Sequence, residues 1–187
     1  MKNNFVSRAG EKLQFALDSF DIKVKDLICA DFGSSTGGFV DCLLQNGASK
    51  VYAVETGYGV LDWNLRNDSR VVVMEKTNAM HVSLPQKVDF ISIDASWTKQ
   101  KLILPNAFEN LKEDGVIISL IKPHYEAPKE YLKKGRLIDE KIDEVVQMTK
   151  QDIEEVGAKV LNIVESPILG EKGKNKEFLA LITRVGK

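Results

Sequence analysis

The sequence has few residues of the kinds that build metal sites and disulfide frameworks. It contains two cysteines, Cys29 and Cys42, and two histidines, His81 and His124, with no Cys-x-x-Cys pair. A zinc site needs several such ligands at closer spacing. We therefore predict no metal centre, and we interpret the cysteines as buried thiols of a protein in a reducing compartment.

Long apolar runs and an excess of charge are also lacking. The first twenty residues carry Arg8, Glu11 and Lys12 and no apolar signal-peptide core, and the run Val116–Ile121 is too short to cross a bilayer. The 26 basic and 27 acidic residues give a net charge of −1, which excludes a strongly basic nucleic-acid arm but allows a local basic patch. These features predict a cytoplasmic protein that does not associate with membranes.

The sequence does contain buried-strand patterns separated by helical patterns. The 187 residues, 43% hydrophobic and 28% charged, predict one globular domain over residues 1–187, beginning with a helical lead-in over residues 1–20. Short apolar runs lack the alternation of polar and apolar residues, as is typical of parallel strands covered on both faces. These runs are Leu27–Phe32, Lys50–Glu55, Val71–Met74, Val88–Asp94 and Val116–Ile121.

Helical periodicity fills much of the intervening chain. The clearest stripe runs from Ile142 to Val156, with Asp139 as the predicted N-cap and Gly157 after the helix; Asn46-Gly47 predicts another helix end. Strand and helix are expected to alternate five times before a last helix and two terminal strands, Ala158–Ser166 and Phe178–Thr183. The prediction is an α/β, Rossmann-like fold with a mostly parallel seven-stranded sheet and helices on both faces.

Ligands of such sheets bind beyond the carboxyl ends of the strands, so the residues that follow each strand are the candidates. The glycine-rich segment Asp31–Phe39 follows the first strand, Glu55 ends the second, and Asn78 follows the third. The glycine spacing fits neither a dinucleotide fingerprint nor a phosphate loop, which favours a nucleoside cofactor without phosphate, S-adenosyl-L-methionine. The candidate cofactor-binding residues are Asp31, Gly33, Ser34, Ser35, Thr36, Gly37, Gly38, Phe39, Glu55, Asn78 and Asp94.

Each of these signals also has a structural interpretation. The glycines are compatible with a simple turn, Glu55 with a solvated acid that ends a strand, and Asn78 with a strand terminator as readily as with a contact to adenine. Asp94 and Lys122 end the fourth and fifth strands, which should be neighbours. They predict either a structural ion pair or a lysine whose pKa is lowered by burial until it serves as a base.

Several separated motifs together resemble the TlyA family of FtsJ-like ribosomal RNA 2′-O-methyltransferases, also called haemolysins. They comprise Val6–Leu13, Asp31–Phe39, Val51–Glu55, Ile93-Asp94, Lys122-Pro123, Ser166–Ile168 and Asn175–Phe178. The resemblance runs from about Val6 to Ile182. It implies a Rossmann-like methyltransferase fold and the methylation of ribosomal RNA, alone or within a ribosomal subunit, with S-adenosyl-L-methionine as methyl donor.

The resemblance also implies a catalytic tetrad of Lys12, Asp94, Lys122 and Glu177. Lys122 would align a ribose 2′-hydroxyl with the methyl group and assist its deprotonation, while the other three side chains would hold Lys122 and set its pKa. Without the family, Lys12 and Glu177 would pass for solvated charges.

The sequence departs from the family pattern at several places. No residues are available before Val6 for the usual small RNA-binding domain, which leaves room for a separate RNA-binding partner. Near the expected pocket, Ala95–Thr98, Met80 and His124–Glu126 stand where the family has other residues. Two lysine-rich segments are candidate RNA contacts. The first carries Lys129, Lys133, Lys134 and Arg136, with Tyr131 within it and Tyr125 shortly before it. The second carries Lys172, Lys174 and Lys176 around Gly173.

Two other functions remain open from the sequence. One is a methyltransferase for a small molecule or a protein, and the other is a cofactor-binding or RNA-binding module without catalysis. A membrane-active haemolysin is disfavoured because no segment is long and apolar enough to insert.

Overall fold

The structure, a computed structural model, describes residues 4–171 and 174–186. Its strands are β1 (Ile28–Phe32), β2 (Lys50–Val54), β3 (Val71–Met74), β4 (Val88–Ile93), β5 (Leu111–Ile121), β6 (Leu132–Lys133), β7 (Arg136–Leu137), β8 (Ala158–Glu165) and β9 (Phe178–Arg184). The main sheet has the order β3-β2-β1-β4-β5-β9-β8, and β6 pairs with β7 in a small hairpin. Strands β1 to β5 are parallel and β9 is antiparallel to both of its neighbours. The predicted mostly parallel seven-stranded sheet is confirmed.

The helices are α1 (Ala9–Ser19), α2 (Gly38–Gln45), α3 (Trp63–Arg66), α4 (Gln100–Asn110), α5 (Pro123–Glu126) and α6 (Ile142–Glu155), with 3₁₀ turns at Lys129–Tyr131 and Asp139–Lys141. Within the described ranges, none of them combines the length and apolar character that a membrane span requires.

Apolar side chains cover the sheet on both faces, and β1 shows why its sequence does not alternate. Ala30 and Phe32 pack into a cluster that includes Ile103 of α4, whereas Cys29 packs into a cluster that includes Leu13 of α1 and Leu43 of α2. Successive residues of a strand point to opposite faces, so a strand between two helical layers is apolar throughout. Strand order reverses between β1 and β4, which opens a crevice at their carboxyl ends.

The expected regular alternation of strand and helix is wrong between β3 and β4, where no helix forms. Ala79 and Val82 reach the core from an irregular segment, and α4 satisfies its backbone instead. Asn106 Nδ2 donates to the carbonyl oxygens of both residues at 2.8 and 3.0 Å, and Asn110 Oδ1 accepts from Leu84 N at 2.8 Å. Side-chain amides therefore replace the hydrogen bonds that a helix would supply.

The predicted helix ends are right and the predicted N-cap is wrong. Gly47 and Gly157 follow α2 and α6 with φ of +86° and +80°, a region that glycine enters without strain. Asp139 lies instead in the 3₁₀ turn before α6 and pairs with Arg136 at 3.3 Å. Strand β5 also begins earlier than predicted, at Leu111.

Candidate active site

A cavity of about 500 Å³ opens at the carboxyl ends of β1, β4 and β5. Most of the predicted site residues line it, although they come from distant parts of the chain: Lys12, Asp31, Gly33, Ser34, Ser35, Thr36, Gly38, Phe39, Asp94, Lys122 and Glu177. Gly37, Glu55 and Asn78 do not line it.

Asp94 and Lys122 meet because β4 and β5 are parallel neighbours. Lys122 Nζ lies 2.6 Å from Asp94 Oδ1 and 3.3 Å from Ser96 Oγ. Burial disfavours the ammonium, but the charge and hydrogen bond of Asp94, with smaller contributions from Glu177 and Tyr125, raise the pKa of Lys122 above its ordinary 10.5. The lowered pKa expected from burial alone is therefore wrong, and Lys122 is an ammonium in this arrangement.

A second ion pair joins α1 to the residue that directly precedes β9. Lys12 Nζ lies 2.5 Å from Glu177 Oε2, with side-chain exposures of 9% and 5%. Lys12 is buried on the inner face of α1 beside Leu13 and Ala16. Removing one partner of a buried ion pair leaves the other charge unpaired and strongly destabilises the fold, so each of these two side chains requires the other.

Gly33, in the loop after β1, and Gly38, the first residue of α2, face other backbone segments. A Cβ on Gly33, whose φ is +89°, would lie 2.6 Å from the carbonyl oxygen of Asp94. A Cβ on Gly38 would collide with Ser7 Oγ and with the backbone of Gly10. The glycines thus allow the ends of β1 and β4, and the N-termini of α1 and α2, to approach one another closely.

Asp31 is the most deeply buried acid of the cavity, with 1% of its surface exposed. Its Oδ1 accepts a hydrogen bond from Ser92 Oγ at 2.7 Å, while Oδ2 is buried and has no hydrogen-bond partner among the described residues. Burial raises the pKa of Asp31 to about 8, with Asp94 and Glu55 adding to the effect and the Ser92 hydrogen bond opposing it. The hydroxyl of Ser34 is likewise buried and unpartnered within the described chain.

Glu55 and Asn78 make local hydrogen bonds at the edge of this region. Glu55 accepts hydrogen bonds from Ser35 N at 2.9 Å and from Gly57 N at 2.7 Å, which ties the glycine loop to the end of β2. Asn78 is exposed, and its Oδ1 accepts from Met80 N at 2.9 Å in a local turn. Their assignments to ribose and adenine stay predictions.

An aromatic group forms the wall of the cavity beside Lys122. Trp97 is 80% exposed, adopts a φ of +63°, and stacks on Tyr125 with ring centroids 4.7 Å apart. Tyr125 in turn contacts the ring of His124 at 4.1 Å. Burial, followed by the charge of Lys122, lowers the pKa of His124 to about 4, so its imidazole is neutral at physiological pH.

Sequence reasoning did not single out Ser7, Arg8 or Glu171 as cavity residues, yet all three line it. A signal was available for Arg8, because it lies one helical turn before Lys12. Glu171 carried none, since it belongs to a loop whose position depends on β8 and β9.

The two lysine-rich segments meet on one side of the molecule. Arg136, Lys174 and Lys176 border a cavity of about 130 Å³, and Asn175 Oδ1 accepts from Leu137 N at 3.1 Å. Tyr131 is engaged internally, since its hydroxyl donates to Glu144 at 2.7 Å. Lys172 and Gly173 lie outside the described residues.

The chain is similar to known proteins in both sequence and structure. The family model described as FtsJ-like methyltransferase matches residues 5–183. Hemolysin A of Brachyspira hyodysenteriae is 41% identical over 94% of this chain and 75% of that protein. The 16S/23S rRNA (cytidine-2'-O)-methyltransferase TlyA of Mycobacterium tuberculosis is 35% identical over 98% of this chain and 70% of that protein. A solved structure from Streptococcus thermophilus, described as a hemolysin, superposes with a TM-score of 0.95 at 38% identity, covering 100% of this chain and 70% of that one.

Proposed function

The chain belongs to the FtsJ-like methyltransferase family, and from this premise we propose that it transfers a methyl group from S-adenosyl-L-methionine to a ribose 2′-hydroxyl of ribosomal RNA. The observation that carries the proposal is the meeting of two ion pairs, the half-buried Lys122–Asp94 and the buried Lys12–Glu177, at one cavity. A relative that shares the matched region, from Mycobacterium tuberculosis, is named for 2′-O-methylation of ribosomal RNA. We also propose that the protein meets this substrate in the cytoplasm.

The cavity fits the methyl donor in its charge and in its unpartnered polar atoms. S-adenosyl-L-methionine supplies an electrophilic methyl group on a positively charged sulfur and also carries an ammonium and a carboxylate. Asp31 Oδ2, buried and without a partner in the described structure, would accept from the ammonium. The hydroxyl of Ser34 and the first amides of α2 would bond the carboxylate.

Lys122 would hold the 2′-oxygen in line with the methyl group. Its ammonium donates a hydrogen bond and stabilises the negative charge that develops on that oxygen, while Asp94 fixes its direction. A cation brought into the cavity opposes the raised pKa of Lys122, because like charges disfavour a neighbouring ammonium. Lys122 Nζ therefore releases its proton more easily in the loaded site than in the free one, and the neutral amine so formed can accept the proton of the 2′-hydroxyl.

RNA would approach across the exposed wall formed by Trp97 and the basic surface around Arg136, Lys174 and Lys176. Lysine and arginine bind phosphates without sequence preference, and an exposed indole stacks on an unpaired base. We propose that residues 1–187 act as a single methyltransferase domain whose RNA contacts lie on these two surfaces.

The test is transfer of labelled methyl from S-adenosyl-L-methionine to purified ribosomal subunits. Wild type should label RNA at a position resistant to alkaline cleavage, and Lys122→Ala should abolish labelling while cofactor affinity stays within about twofold. Lys112→Ala is the matched control, because Lys112 pairs with Asp89 of β4 at 2.6 Å, at the opposite end of the strand.

The possible failures of this experiment have different meanings. Label in protein or small molecules but not in RNA would refute the proposed substrate. Bound cofactor without any transfer would refute action by this chain alone and point to a separate RNA-binding partner.

A further inference from the structure

Two segments form the wall of the cavity on the Lys122 side, and we call both of them loops although the second contains the single-turn helix α5. Residues 94–99 follow β4 and carry Ser96 and Trp97, and residues 122–126 follow β5 and carry Lys122 and Tyr125. The ion pair of Lys122 with Asp94 joins the beginnings of the two loops. Their distant ends need a second link if the wall is to keep its shape.

Glu126 supplies that link. Its Oε1 accepts a hydrogen bond from the backbone amide of Gln100, the first residue of α4, at 2.9 Å. Lys99 Nζ donates to the carbonyl oxygen of Glu126 at 3.0 Å. The carboxylate of one loop therefore bonds the end of the other loop at the start of its helix, where backbone amides lack intrahelical partners.

The position of Gln100 is itself fixed from the sheet. Its Oε1 accepts from Ser119 Oγ at 2.6 Å, and its Nε2 lies 3.4 Å from the carbonyl oxygen of Leu120. Glu126 is 7% exposed, so this link is shielded from water. Burial raises the pKa of Glu126 to about 7, but its Oε1 can accept from the amide in either charge state, and a shielded hydrogen bond is stronger than an exposed one.

The loop that Glu126 holds contains a strained residue. Trp97 has a φ of +63°, which a side chain with a Cβ adopts only at a cost of about 1 kcal/mol. Trp97 is 80% exposed, and its aromatic contact is the ring of Tyr125 on the other loop. Such a conformation persists only where the surrounding contacts impose it.

We propose that Glu126 is a positioning residue, which holds the loops 94–99 and 122–126 together and thereby keeps Trp97, Tyr125 and Lys122 in place for the RNA substrate. The inference deepens the proposed function and rests on it for the identity of the substrate. If Glu126 only capped α4, its substitution would leave the contact between Trp97 and Tyr125 unchanged.

The test uses Trp97 as its own reporter. Trp63→Phe leaves Trp97 as the single tryptophan, because the sequence has two. In this background Glu126→Ala should shift the emission of Trp97 and lower its fluorescence anisotropy, since the indole is already 80% exposed and loses its contact with Tyr125. It should also raise the KM for RNA about tenfold, with cofactor Kd within about twofold. Glu126→Gln keeps an oxygen acceptor for Gln100 N and should restore both properties.

Two further variants complete the test, one for the case in which Glu126→Ala does not fold and one as a control. Glu126→Asp is too short to reach Gln100 N and should shift Trp97 emission even if Glu126→Ala does not fold. Asp62→Ala is the matched control, because Asp62 Oδ1 accepts from Asn64 N at 2.8 Å as the cap of α3, and Trp97 emission should not change.

Unchanged Trp97 emission and RNA KM in a folded Glu126→Asp variant would overturn the proposal. If wild type transfers no methyl to RNA, the proposed function fails, yet the emission still reports whether Glu126 positions the wall.

Discussion

The buried carboxyl group of Asp31 leads to two predictions, one about the pH dependence of stability and one about cofactor binding. Its pKa is about 8, against an ordinary value of 3.8, because burial favours the protonated form. The unfolded chain ionises near the ordinary value, so rising pH favours unfolding until the pH passes the folded pKa. At 1.36 kcal/mol for each pKa unit, wild type should lose about 4 kcal/mol of unfolding free energy through Asp31 between pH 5 and pH 9.

Asp31→Asn should remove this loss, because an amide keeps an oxygen acceptor for Ser92 Oγ and does not ionise. Urea unfolding at pH 5, 7 and 9 measures the free energy of unfolding of variant and wild type. The variant should become increasingly more stable than wild type as the pH rises. Asp89→Asn provides the opposite control. Burial raises the pKa of Asp89, but the Lys112 pair and the Ile28 amide lower it by more, so the stability that Asp89 supplies is lost at acid pH.

The same Asp31→Asn variant should bind S-adenosyl-L-methionine about tenfold to a hundredfold more weakly. Above pH 8, where Asp31 is ionised, a hydrogen bond to its charged group contributes about 1.5–3 kcal/mol, and the amide cannot offer that negative charge to the ammonium. Calorimetric titration measures the loss. Parallel stability curves for variant and wild type from pH 5 to pH 9 would refute the burial argument, and unchanged affinity would refute the contact with the ammonium.

Three other substitutions give equally direct outcomes. Glu55→Ala should weaken cofactor binding before it affects RNA, since Ser35 N loses its acceptor; equal cofactor Kd by titration would remove Glu55 from the site. Gly170→Ala should lower kcat with little change in cofactor Kd, because the new Cβ would lie 2.6 Å from Glu177 Oε1 and displace the carboxylate from Lys12; wild-type kcat would contradict this. Trp97→Ala should raise the KM for RNA about tenfold and spare cofactor Kd, and an unchanged KM in methyl-transfer assays would show that no base stacks there.

The sheet was predictable because a strand that is buried on both faces is apolar along its length, and this pattern is visible in the sequence. Cys29, Ala30 and Phe32 are all apolar although they face different helical layers. The connection from β3 to β4 was not predictable, because Asn106 and Asn110 of a later helix satisfy its backbone. Such support has no local pattern that periodicity detects.

The candidate site was predictable to the extent that its residues end strands. Asp94 and Lys122 followed from strand order, since neighbouring parallel strands bring their ends together. Lys12 and Glu177 lie 165 positions apart and required the family resemblance. The charge state of Lys122 could not be predicted from the sequence, because burial and the Asp94 pair shift its pKa in opposite directions and their balance depends on distances.

The Lys12–Glu177 pair also has a consequence for the order of events during synthesis. Lys12 lies on the first helix and Glu177 directly precedes the last strand of the sheet, so the pair forms only after β9 has been translated and has inserted between β5 and β8. Without β9, Lys12 has no counter-ion, and we expect α1 to pack less stably against the sheet. We therefore expect a product that lacks this strand to have no methyltransferase activity, because it lacks both the Lys12–Glu177 pair and the strand that joins β5 to β8.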